Sequence, residues 1–78
     1  MTTKSVTLTA DWVQVTDGEQ TCLIQILDRT AMICDSSEQP VLDAPAHIVS
    51  GFVTVTPPTV AWMRAENDVA RIVMTNSD

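Results

Sequence analysis

The side chains that most often carry chemistry are scarce in this chain: one histidine, His47, and two cysteines, Cys22 and Cys34. Two thiols and one imidazole do not complete a tetrahedral zinc site. His47 stands among the apolar Ala46, Ile48 and Val49, so a structural or loop role is expected of it. No Ser-His-Asp arrangement can be argued for it, because a triad is defined by geometry. No GxGxxG, P-loop or HExxH stretch occurs. Asp17 with Glu19, or Glu66 with Asp68, could touch a cation at a turn, but neither pair has the ligand density of a calcium loop. The expectation is a protein that is not an enzyme and uses no cofactor and no metal.

Recognition is the better use for the larger side chains. Trp12, Trp62 and Phe52 are the only aromatic residues. One buried aromatic can remove ~150–250 Å² from water, which makes them natural core anchors. Trp, Met and Arg are also the types that interfaces favour, and all three occur in sequence at Trp62, Met63 and Arg64. Strand alternation sends Met63 to the opposite face from Trp62 and Arg64. Trp12, Trp62, Arg64 and Phe52 are therefore the candidate core or interface anchors.

The elements that must position these residues follow from composition and period. Seventy-eight residues make one domain, spanning 1–78. A domain of this size buries only somewhat more than ~60% of its unfolded surface and is marginal alone. Threonine and valine are abundant, which favours pleated strands. The net charge of −6 argues against nonspecific nucleic-acid binding. The basic residues Lys4, Arg29, Arg64 and Arg71 form no cluster, while the carboxylates mark turns and favour solubility. A DNA-mimicking surface would need denser, ordered carboxylates. Residues 1–12 contain no apolar run like a signal peptide, and no segment is long enough to span a bilayer. Synthesis in the cytoplasm, with reduced cysteines, is expected.

Residues 5–10 alternate Val6 and Leu8 against threonines, and 12–16 alternate on the opposite parity, so a bulge or bend is expected near Asp11. Residues 1–5 are expected to form a flexible N-terminal arm. A turn at 17–20 uses Gly18. Residues 21–27 read as an apolar strand covered on both faces. Asp28, Arg29 and Thr30 read as a turn into a second strand, 31–35, giving a hairpin across which Cys22 and Cys34 could approach. Residues 36–40 form a polar loop, and 43–46 form either one helical turn or an irregular crossing. Residues 52–56 alternate again until Pro57 and Pro58, which cannot donate to a ladder and fix φ. The two prolines mark a strand corner. Residues 59–65 and 69–75 read as a terminal hairpin. The sum is an all-β fold: a small antiparallel β-sandwich or barrel of about six or seven short strands.

In this layout the chain resembles a group of short structural proteins encoded among the virion genes of tailed bacteriophages. The resemblance runs from "WVQVTDGEQTCLIQIL" through "SSEQPVLDAPAHIV" to "VTVTPPTVAWMRAENDVARIVMT". It consists of a Trp-bearing strand entering an Asp-Gly turn, an apolar strand, a polar loop with an Asp-Ala-Pro stretch, and a late Trp-bearing strand before a Val-rich one. Many members of the group carry a Pro-Gly turn before the late strand, where this chain has Ser50-Gly51. The resemblance implies a virion component: a capsid decoration (cement) protein that binds and stabilises the assembled head, or alternatively a tail or fibre-associated module for attachment to the host surface. It implies the major capsid protein or other virion proteins as partners, and a homo-oligomer such as a trimer. From the charge and the lack of a spanning segment, neither nucleic acid nor membrane is expected as a partner. Exposed edge strands or the N-terminal arm would dock by adding to a neighbour's sheet. A third reading is a small inhibitor of a host enzyme.

Overall fold

A computed structural model describes residues 2–77. It contains six strands: β1 (Thr2–Leu8), β2 (Val13–Gln14), β3 (Cys22–Asp35), β4 (His47–Val55), β5 (Ala61–Ala65) and β6 (Ala70–Asn76). All pairings are antiparallel within one sheet of order β1-β6-β3-β5-β2, with β4 on the other side of β3. The expected small all-β antiparallel fold is present, as one sheet curled on itself.

The curl comes from breaks that coincide. β6 and β5 follow one another along the same edge of β3, β6 against residues 22–26 and β5 against residues 31–35. β1 and β2 follow one another in the same way along β6 and β5. Each of these paths is interrupted at one level: residues 9–12 and 66–69 lie outside the strands, and residues 27–30 of β3 have no partner in register. Opposite β4, the register of β3 jumps between Ile26 and Ala31, while β4 advances only from Gly51 to Val49. Arg29 takes a positive φ of 64° and Gly51 one of 70°. The result is a crease that divides the sheet into two leaves. Ala65 N–H donates to the Thr9 carbonyl across it at 2.7 Å. Asp28 clamps it from the side, accepting from the Arg71 main-chain N–H at 3.2 Å and from Arg71 Nε at 3.1 Å.

The inward side chains of the two leaves form one core. Leu8, Ile24, Ile26, Ile72 and Met74 come from the first leaf, and Ala31, Ala61, Met63 and Ala65 from the second. The second leaf's three fully buried alanines are short enough to let the larger aliphatics of the first leaf reach across. At the mouth opposite the crease, two connections cross between leaves: residues 17–21 and residues 56–60. They pack on each other. Gly18 (φ 88°) lies so close that an added Cβ would sit 3.1 Å from the Pro58 carbonyl oxygen. Thr16 is buried, donating to the Thr59 carbonyl at 3.0 Å and accepting from Ala61 N–H at 2.9 Å.

Pro57 and Pro58 stand in this second crossing, after β4 ends and before β5 begins, with a cis peptide between them. The bend expected near Asp11 is present, and so is the turn at Gly18.

Several expectations are corrected. Residues 21–27 and 31–35 do not form a hairpin, because Asp28–Thr30 bends one continuous strand of fourteen residues rather than reversing it. Cys22 and Cys34 therefore lie on different leaves, and both are free thiols. The terminal hairpin is absent too: β5 and β6 share an edge of β3 end to end and do not pair. The 21–27 strand is covered on one face only, with Leu23 and Leu27 exposed on the other. Residues 2–5 of the expected flexible arm are strand, paired from Thr2 opposite Asn76 onward; Met1 lies outside the described residues. Residues 43–46 hold no helix, and the segment is an irregular connection with a turn closed by Ala44 N–H on the Val41 carbonyl.

Two outcomes follow for stability. Ile24→Ala opens a cavity at a fully buried site on the central strand. It should lower unfolding free energy by about 2–5 kcal/mol in urea titrations. Asp28 is the second case. Hydrogen bonds from the Arg71 N–H first, and from its side chain second, hold the Asp28 carboxyl below the usual carboxylate range. A lowered folded pKa gives stability present above the unfolded value of ~3.9 and lost as pH falls through the folded one. Asp28→Asn should be less stable than the parent at neutral pH, and the difference should shrink as the buffer is acidified through that window.

Candidate functional site

The outward side of the second leaf gathers three of the four anchor candidates. Gln14 pairs with Trp62, and Trp62 in turn with Cys34; Arg64 pairs with Met32. Alternation places Trp62 and Arg64 on this outer face and drives Met63 into the core, where it is fully buried. Trp12 joins them one step beyond β2. The Arg64 guanidinium carbon lies 5.3 Å from the centre of a Trp12 ring, a cation–π geometry. Arg64 Nε is buried and has no hydrogen-bond partner among the described residues.

The loop of residues 36–46 is tied down by these two tryptophans. Trp62 Nε1 donates to the Ser36 carbonyl at 2.8 Å, and Trp12 Nε1 donates to the Val41 carbonyl at 2.9 Å. Trp12 is 5% exposed. Further bonds fix the loop's entrance: Ser36 N–H to the Val60 carbonyl at 3.0 Å, and Val60 N–H to Asp35 Oδ1 at 2.9 Å. Ser36 Oγ donates to the Glu38 carbonyl at 2.6 Å. The loop is thus ordered by main-chain acceptors and presents two adjacent aliphatic side chains to solvent, Val41 at 69% and Leu42 at 60% exposure. Ile48, opposite Met32 on β4, is also exposed.

Phe52 is placed elsewhere. It lies on the outer side of the first leaf, opposite Gln25, and is 64% exposed. Leu23 and Leu27 share that side by alternation and are also exposed. The tryptophans and Arg64 act together, and Phe52 belongs to a second patch. The sequence reading missed Val41, Leu42, Leu23 and Leu27. Val41-Leu42 had a signal: two aliphatics between Pro40 and Asp43 in an otherwise polar stretch.

The titratable residues give less. Cys34, Asp35 and His47 line a shallow cleft of about 230 Å³ with Ile33 and residues 53–56. Burial, and secondarily the Asp35 charge, push the Cys34 thiol above its ordinary value. That is the wrong direction for a thiolate nucleophile. Asp17 Oδ1 accepts from Glu19 N–H, and Glu66 accepts from the Thr30 hydroxyl, so both acidic turns use a carboxylate internally. Among the described residues, no three His, Cys, Asp or Glu side chains converge as metal ligands.

No protein-family model, curated protein or solved structure matches the chain.

Trp12→Phe keeps a ring beneath Arg64 and removes the bond to Val41. It should lower stability by about 1–3 kcal/mol, as expected when a part-buried acceptor is orphaned. Hydrogen exchange should quicken chiefly in residues 36–46, whereas a uniform rise across the sheet would show that the indole anchors the core rather than the loop.

Proposed function

We infer that this chain is a non-catalytic structural protein of a tailed-phage virion, made in the host cytoplasm, that decorates and reinforces the assembled head. The observation carrying this reading is the braced loop: Trp12 and Trp62 bond its main chain at Val41 and Ser36, and Val41 and Leu42 stand exposed on it. A preorganised apolar loop loses little conformational entropy on docking. Binding many times to a repeated shell also stabilises a domain that is marginal alone, because a partner that binds only the folded form adds to its stability. The resemblance of the sequence layout to short virion proteins suggests the shell: the major capsid protein, or another virion protein. Attachment to host glycans through a tail or fibre is the alternative, for which Phe52 offers an exposed ring but the tryptophans offer less. Here Trp12 is buried, and both indole N–H groups are already bonded to the chain itself.

The test is the copy number in gradient-purified particles, measured by quantitative mass spectrometry. Decoration predicts hundreds of copies, and a few dozen or fewer would point to a tail or fibre position. None would overturn the virion reading altogether. In a binding assay on particles lacking the protein, Leu42→Asp should reduce occupancy at least tenfold while leaving the circular-dichroism spectrum unchanged.

A further inference from the structure

The two outer edges of the sheet are treated differently. One is formed by β1 and β2. It carries Lys4, which shares the inward-directed parity of Leu8 and Val6, and it ends in a strand of only two residues flanked by Asp11 and Asp17. An inward-set charge and a very short edge strand are both known protections against unwanted pairing. The other edge is β4, nine residues long, paired among the described residues with β3 and with no other strand. It contains no Lys, Arg, Asp, Glu or Pro from His47 to Val55. Its only interruption is the kink at Gly51. Beyond that kink, residues 51–55 form a regular ladder with β3, and Phe52 stands exposed beside Leu23 and Leu27.

We propose that this β4 edge, which carries the exposed Phe52, is where two copies of the chain join, antiparallel and about a two-fold axis, to make one sheet continuous across both. An antiparallel strand edge is complementary to itself after a half-turn, so an identical strand satisfies it without any second surface. Copies with a net charge of −6 repel overall, but β4 itself carries no charged side chain from His47 to Val55 to oppose an identical strand, whereas the β1 edge would set Lys4 against a second Lys4. The partner's β4 also brings a second exposed Phe52, extending the apolar strip of Leu23 and Leu27 over both molecules. Area sets the strength. A nine-residue edge is roughly 30 Å long and about 10 Å deep. That strip falls well short of the ~800 Å² per partner typical of a stable complex. The dimer is therefore a reversible one, forming as concentration rises. This contact is independent of the virion reading and stands or falls without it.

Sedimentation velocity on the whole chain, from low micromolar to near-millimolar concentration, tests the proposal. The expected result is a shift from the 8.5 kDa monomer to twice that mass, with slowed hydrogen exchange in residues 51–55 at high concentration. Thr54→Lys and Phe52→Glu, both at exposed positions, should weaken the dimer about tenfold or more, since each puts a charge on the pairing strand of both copies. Thr7→Lys on β1 should leave it unchanged. Circular dichroism of each variant checks that the fold is kept. A monomer at every concentration overturns the proposal. A dimer insensitive to Thr54→Lys and Phe52→Glu overturns it too. So does a trimer or larger closed species, because pairing two β4 edges leaves neither free for a third.

Discussion

A short chain with one sheet has no second layer to bury its apolar face unless the sheet supplies that layer itself. Here the constraint is met by aligning four irregularities at a single level. If the break at 27–30 fell two residues away from those at 9–12 and 66–69, the ladder would be interrupted several times and folded nowhere. Because they coincide, β3 runs through both leaves and ties them covalently, while β1 with β2 and β6 with β5 each divide at the fold line. Burial does the rest: the inward positions of one leaf meet those of the other in a common core.

Closure at the mouth is a separate problem from bending at the crease. A folded sheet can open again like a hinge, and the two crossings resist that by packing on one another at Gly18, Pro58 and Val60. The Thr16 hydroxyl bonds twice to the chain just beyond the prolines, at Thr59 and Ala61. Buried hydroxyls that both donate and accept leave no orphaned polar atom. The third connection, residues 36–46, is thereby released from structural duty at the mouth and lies on the outside of the second leaf.

Much of the architecture was legible because period 2 is a strong signal. The alternation at Val6 and Leu8, the parity change before Val13, and the assignment of Met63 to the face opposite Trp62 and Arg64 all correspond to the structure. The two hairpins were misread for one reason. A cluster such as Asp28-Arg29-Thr30 announces a residue with unusual backbone, and Arg29 does have positive φ. Local chemistry does not say whether such a residue reverses the chain or only bends it; that depends on which strands lie alongside. The 66–69 segment misled in the same way. Of the anchors, Trp12, Trp62 and Arg64 share a surface through strand register, whereas Phe52 is separated from them by the fold. No pattern in the sequence could place them relative to one another without the strand order.

The way the two indoles grip the outer loop has a consequence for variation. Both N–H groups end on peptide carbonyls, at Ser36 and Val41. Every amino acid supplies that acceptor, so the grip is indifferent to the side chains it holds in place. The protein thus separates a fixed frame from a changeable display: substitutions at positions 41 and 42 alter what the loop shows to the outside while the two tethers that shape it persist.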